Sequence, residues 1–146
     1  MSKKRKYGVF SLERFYPERW ENSTYRIDFE DLYRKGFRGV IFDIDNTLVP
    51  HGAPATKEAI RFFKKLRRIG FQTCLLSNNR KSRVEPFAEA VGSAYIANAH
   101  KPSTGNYLKA CEVMGISRDE AVFVGDQLFT DVYGAKRSGI YQILVK

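Results

Sequence analysis

Little in this sequence would tie it to a membrane, a secretory route or a metal–thiolate site. No run of about eighteen apolar residues occurs, so no transmembrane helix is expected. Only two cysteines are present, Cys74 and Cys111, in the apolar contexts Q72-T-C-L-L76 and K109-A-C-E-V113. They lack metal-ligand spacing and no secretion signal precedes them, so they read as reduced structural thiols. The basic opening M1-S-K-K-R-K6 has no apolar stretch behind it, which makes a cytoplasmic protein the expectation. Glycine-rich phosphate loops are missing too. The absence of G-x-x-x-x-G-K-[ST] argues against a P-loop nucleotide hydrolase, and the absence of G-x-G-x-x-G after the first strand argues against a dinucleotide fold.

What the chain does have is 146 residues, 43% of them apolar, enough for one domain with a hydrophobic core. Twenty-five Lys and Arg against 16 Asp and Glu give a formal charge of +9. That sign favours nucleic acid, phosphorylated metabolites or acidic lipid headgroups without choosing among them. The Lys3–Lys6 cluster reads equally well as a solvated tail. Arg14 to Phe29 carries Phe15, Tyr16, Trp20, Tyr25 and Phe29 around Pro17. This segment is expected to cover one edge of the core, with a lipid-facing surface as the alternative. F29-E-D-L-Y-R-K-G-F37 then predicts a short helix ending at Gly36. Residues 1–36 thus read as a basic and aromatic extension packing on a domain of residues 37–146.

From Phe37 onward short apolar runs alternate with helical patterns. The runs are V40-I-F42, T73-C-L-L76, A94-Y-I96, A121-V-F-V124 and Y141-Q-I-L-V145. Between the first two, Ala59, Phe62, Phe63, Leu66 and Ile69 line one face of a helix predicted over 55–69. Its other face is basic and fits either solvent or a polyanion. Further helices are predicted over 82–90, with Ser82 as cap, over 103–114, and over 130–137. Strands separated by helices imply parallel βαβ units with helices on both faces, an α/β fold.

The polar residues collect just beyond the C-terminal ends of these strands. Asp43, Asp45, Asn46 and Thr47 follow the first, Ser77-Asn78-Asn79 the second, His100-Lys101-Pro102 the third, and Gly125-Asp126-Gln127 with Asp131 the fourth. An open α/β sheet binds ligands in the crevice at those ends. One acid after a strand often only caps a helix, the alternative for Asp126 or Asp131 taken alone. Asp43, Asp45 and Asp126 cannot all ionise at close range without a counter-charge, and Mg²⁺ suits carboxylates together with a phosphate oxygen. Lys101 adds a fixed positive charge, Ser77 a hydroxyl and Asn78 an amide, a set that fits a phosphoryl group. Asp43 can then attack phosphorus while Asp45 handles the proton on the leaving oxygen. His51 and His100 read as loop residues without catalytic duty, with contact to a substrate as the alternative.

At this point the chain resembles the haloacid dehalogenase superfamily of phosphohydrolases. D43-I-D-N-T47 is similar to the family's D-x-D-x-T motif, Ser77 to its strand-two Ser/Thr, Lys101 to its lysine, and G125-D-Q-L-F-T-D131 to its terminal acidic motif. More narrowly, "DNTLVP", "SNN", "KP" and "GDQLFTDV" resemble the YqeG-type, subclass IIIA phosphatases, relatives of mitochondrial phosphatidylglycerophosphate phosphatases. The resemblance implies a Rossmann-like three-layer α/β/α sandwich whose mainly parallel five-stranded sheet has the order 3-2-1-4-5. It implies Asp43 as the residue that takes the phosphoryl group, and Asp45 as general acid/base. Mg²⁺ would be held by Asp43, Asp126 and the Asp45 carbonyl. Ser77, Asn78 and Lys101 would hold the phosphate, with Thr47 and Asp131 in support. An acid two residues after the nucleophile favours phosphatase over dehalogenase and over a response-regulator receiver. The intervals Asp43–Ser77 and Ser77–Lys101 leave no room for a cap domain, which points to larger or surface-displayed phosphates. The expected substrate is a phosphorylated small molecule or a lipid headgroup such as phosphatidylglycerophosphate, met at an anionic membrane surface. Nucleotides and nucleic-acid ends are the alternative, and a non-catalytic binding protein on the same fold is a third.

Overall fold

The computed structural model describes residues 17–146; the basic run at residues 3–6, Phe15 and Tyr16 lie outside them. At its centre stand β1 (Arg19–Glu21), β2 (Gly39–Phe42), β3 (Gln72–Leu76), β4 (Ala94–Ile96), β5 (Ala121–Gly125) and β6 (Tyr141–Val145). They form one sheet in the order β1-β6-β5-β2-β3-β4, with every pair parallel. Parallel neighbours require crossovers, and these are α2 (Lys57–Ile69), α3 (Lys81–Val91), α4 (Thr104–Met114) and α5 (Gly134–Arg137), with α1 (Phe29–Arg34) preceding β2. The five expected strands keep their expected order. The count of five is corrected to six, because Arg19–Glu21 pairs with Ile143–Val145 along the β6 edge. Its three residues turn their one apolar side chain, Trp20, outward, so no inward-facing apolar residue marks the strand, and pairing with β6 rather than local propensity makes it.

Period-two alternation sorts the sheet's side chains into two cores. Val40, Phe42, Leu75, Val122, Val124 and Ile143 face α1, α2 and α3 and pack with Phe29, Leu32, Phe63, Leu66, Val84 and Phe87. Ile41, Cys74, Leu76 and Phe123 face α4 and α5 and pack with Tyr107, Ala110, Cys111, Met114 and Ala135. The result is three layers. Burial pushes the Cys74 thiol up to about 12 and Cys111 to about 11, so both behave as small apolar groups.

Helix boundaries follow from their caps. Thr56 accepts the Ala59 N–H to start α2, and Gly70 (φ 125°) ends it. The basic face of α2 is partly structural, since Arg67 donates to the carbonyls of Val91 (2.8 Å) and Gly92 (3.2 Å). The expected cap Ser82 lies inside α3, whose N-cap is Arg80. The preceding turn already satisfies the N–H groups of Asn79 and Arg80, through Ser77 Oγ and Asn79 Oδ1, so the helix starts earlier. The single helix expected over 130–137 is instead a π-helical turn, Leu128–Tyr133, running into α5. Between β2 and α2, residues 43–56 form only a loop, and α3 follows β3 after a short turn; no cap is inserted at either place. Among the described residues no helix is long and apolar enough to cross a membrane.

Candidate active site

Asp43 continues the β2–β5 ladder by one step, its N–H donating to Val124 O (3.1 Å), so its carboxylate emerges at the C-terminal edge of the sheet. Ile44 is fully buried and anchors the next turn of chain. The N–H groups of Thr47 (3.1 Å) and Leu48 (2.9 Å) both donate to Ile44 O, closing that turn tightly. It needs a residue with positive φ, supplied by Asn46 (φ 61°), a type that tolerates the left-handed region. The loop is also clamped from outside. Thr24 Oγ1 donates to Thr47 O (2.6 Å) and Tyr25 OH to Leu48 O (2.7 Å). Thr47 Oγ1 is buried without a hydrogen-bond partner.

Lys101 is the electrostatic hub. Its side chain is 4% exposed, and its ammonium lies 2.8 Å from Asp131 Oδ1 and 3.2 Å from Asp43 Oδ1. Burial draws its proton affinity down, but the Asp131 and Asp43 carboxylates outweigh that and hold it above the ordinary lysine range. Asp131, fully buried, accepts the N–H groups of Asp126 and Gln127 on Oδ2, both at 3.1 Å. Gly125 makes that approach possible, because a Cβ there would sit 2.6 Å from Asp131 Cγ. Asn78 does not present its amide freely to a ligand. It spends both ends on the Lys101 backbone, accepting the N–H at 2.6 Å and donating to the carbonyl at 3.3 Å. Ser77 is 3% exposed and lies at the end of β3, its N–H bound to Ile96 O.

Asp45 stands on the other side of the loop. Its Oδ1 accepts the Gly52 N–H and an Arg83 Nη2–H, each at 2.7 Å. Burial would raise its proton affinity, but those two donors outweigh it and hold the carboxyl below the usual range. Sequence reasoning missed Arg83, although a signal existed: it lies four residues before the buried Phe87, on the same face of α3. Thr24 and Tyr25 were missed as supports because their contacts span 23 residues and leave no local pattern. His51 and His100 are exposed.

The residues fit a divalent cation. Carboxylate oxygens of Asp43, Asp126 and Asp131 lie within 4.8 Å of one another, and Asp126 Oδ1 is buried with no hydrogen-bond partner among the described residues. Burial, then the neighbouring Asp131 charge, pushes Asp43 up to about 7 and raises Asp126 as well. Hard oxygen donors in excess of nearby positive charge are what Mg²⁺ coordination relieves. Asp131 is already committed to two N–H groups and an ammonium, which leaves Asp43 and Asp126 with free ligand capacity.

Against known proteins, residues 54–139 match the family model described as "Hydrolase: haloacid dehalogenase-like hydrolase". The chain belongs to the haloacid dehalogenase-like hydrolases. Over 132 residues this hydrolase is 36% identical to the Bacillus subtilis (strain 168) protein named "Probable phosphatase YqeG", covering 90% of the chain and 77% of that protein. It is 29% identical to the Arabidopsis thaliana "Phosphatidylglycerophosphate phosphatase 1, chloroplastic/mitochondrial", over 82% of the chain and 37% of that protein. An uncharacterized protein from Listeria monocytogenes serotype 4b shares the hydrolase fold, with a TM-score of 0.60 at 23% identity, covering 74% of this chain and 78% of that one. So does the 2-haloacid dehalogenase from Pseudomonas syringae pv. Tomato DC3000, with a TM-score of 0.52 at 15% identity, over 74% and 86%. Within the family the chain is a phosphatase.

Proposed function

We propose that this phosphatase hydrolyses phosphomonoesters in a Mg²⁺-dependent reaction that passes through a phosphorylated Asp43. The observation that carries the reading is the placement of Asp43 at the open edge of the sheet, 3.2 Å from the buried Lys101 ammonium and within 4.8 Å of the Asp126 carboxylate. Asp43 and Asp126, with the main-chain carbonyl of Asp45, would hold the cation. When bound, it supplies positive charge against the phosphoryl oxygens. An Asp43 oxygen bonds to phosphorus as the bond to the leaving oxygen breaks, and Asp45, carrying the proton that the water of the second step leaves on it, gives that proton to the leaving oxygen. Water then yields a proton to Asp45 and attacks phosphorus, restoring the Asp43 carboxylate and releasing phosphate. Lys101 and the Ser77 hydroxyl hold the transferring group, while Asn78 and Asp131 hold Lys101 itself. Much of the rate would come from this fixed electrostatic arrangement.

For the substrate, we infer a phosphorylated lipid headgroup of the phosphatidylglycerophosphate kind, met at an anionic membrane surface by a cytoplasmic protein bound peripherally to its inner face. Three points support this: the name of the plant relative, the charge of +9, and a site over which no cap is inserted among the described residues. In this reading residues 1–36 serve as an extension to a hydrolase domain of residues 37–146. A phosphate-release panel tests both levels, comparing phosphatidylglycerophosphate micelles, nucleotides, oligonucleotide ends and sugar phosphates with and without Mg²⁺. Release should require Mg²⁺, favour the lipid and vanish in Asp43→Asn. Full activity in that variant would remove Asp43 from the reaction, and a strong preference for sugar phosphates would overturn the lipid assignment.

A further inference from the structure

Among the described residues, the Asp45 carboxylate is held through one oxygen. The Gly52 N–H and Arg83 Nη2 both reach Oδ1, each at 2.7 Å, and neither bond uses Oδ2. Arg83 comes from α3, 38 residues away in the chain, so a regular helix fixes a side chain that sits on an irregular loop. Both partners are only 16% exposed, which separates this pair from solvent-screened surface ion pairs. The guanidinium is itself located from below, its carbon 5.6 Å from the ring centre of the buried Phe87. Its Nε is buried with no acceptor, a cost that a freely solvated arginine would avoid.

We propose that Arg83 is a positioning residue for proton transfer, locking Asp45 through Oδ1 so that Oδ2 is the oxygen that gives and then takes the proton. The proposal rests on the reading of Asp45 as general acid and base. A proton on Oδ1 would face two donors, so it belongs on Oδ2. In the first step Oδ2–H protonates the leaving oxygen as the Asp43–phosphorus bond forms and the ester bond breaks. In the second step water gives its proton to Oδ2 while its oxygen bonds to phosphorus and Asp43 departs as carboxylate. Holding χ2 of Asp45 keeps one oxygen on that path through both steps, and small misplacements of a reacting group are costly.

The test compares an alkyl phosphate, whose alkoxide leaving group needs the proton, with p-nitrophenyl phosphate, whose phenolate hardly does. The alkyl-to-aryl ratio of kcat/KM, which reports the step that expels the leaving group and not the later hydrolysis shared by both substrates, is measured for wild type, Arg83→Met, Arg83→Lys, Asp45→Asn and the Asp45→Asn/Arg83→Met double variant. Arg83→Met should lower the ratio by roughly 10- to 100-fold. Arg83→Lys should recover part of it, and the double variant should be no lower in ratio than Asp45→Asn alone. A loss of equal size for both substrates would make Arg83 merely structural and overturn the proposal. A ratio lowered by Asp45→Asn but untouched by Arg83→Met would overturn it while leaving the role of Asp45 standing. If Asp45→Asn leaves the ratio unchanged, the general-acid reading fails and the proposal with it. Should Arg83→Met not fold, Arg83→Gln takes its place in the same ratio, where a lowered value supports the proposal and an unchanged one overturns it.

Discussion

With its carboxylate fully buried, Asp131 takes two N–H groups on one oxygen and the Lys101 ammonium on the other. Asp131→Asn puts an NH₂ group against one of these sets of donors and removes one of the two carboxylate charges beside the ammonium, leaving that of Asp43. Partners of this kind behind a metal site are worth about 10- to 100-fold in metal affinity or activity, and a Mg²⁺ titration of phosphate release should show a loss in that range. Gly125→Ala disturbs the same carboxylate by sterics, since the new methyl would meet Asp131 Cγ at 2.6 Å and Cβ at 2.7 Å. Overpacking of a core site costs about 1–3 kcal/mol, to be read as a lower urea midpoint with an unchanged slope. At this scale the gathering of the acids was legible, because the ends of neighbouring parallel strands bring Asp43, Asp126 and Asp131 to one edge of the sheet. The engagement of Asn78 with the Lys101 backbone was not, since an amide at a strand end looks the same whether it faces a ligand or a neighbouring loop.

Among the elements, the short 3₁₀ turn Thr24–Arg26 matters beyond its size. Its Thr24 and Tyr25 hydroxyls hold the carbonyls of Thr47 and Leu48, two and three residues past Asp45. Thr24→Val keeps the shape but strands the Thr47 carbonyl, in a place where Thr24 is 1% exposed. An unsatisfied buried acceptor costs about 1–3 kcal/mol, and urea unfolding should register that loss together with a reduced kcat. A Thr24→Val variant that is destabilised but turns over at the wild-type rate would show that the clamp serves folding only. The alternation of apolar strands and helices made β2 to β6 and α2 to α4 readable, because each buries a periodic face. Neither β1 nor the 24–26 turn has a period to read. Both exist through partners far along the chain, β6 for one and the loop that follows Asp43 for the other. The π-helical turn 128–133 was hidden for a related reason: its width answers the need of Asp131 to fold back under Asp126 and Gln127, which only the assembled site defines.

For the whole molecule, the open crevice and the charge of +9 make opposite demands on small and large substrates. Among the described residues no cap is inserted to exclude water from a small metabolite, whereas an anionic surface, on the proposed reading, would both attract the protein and cover the site. Activity on phosphorylated lipid in anionic micelles should therefore fall steeply as ionic strength rises, while activity on p-nitrophenyl phosphate should change little. Equal salt dependence for the two would detach the net charge from substrate recognition. The central claim is that Asp43 carries the phosphoryl group between two in-line displacements. The most direct measurement is the stereochemical course at phosphorus, followed by turnover of an isotopically chiral phosphomonoester in the presence of an acceptor alcohol. Two displacements predict retention of configuration, whereas inversion would mean a single direct transfer and contradict the phosphorylated Asp43.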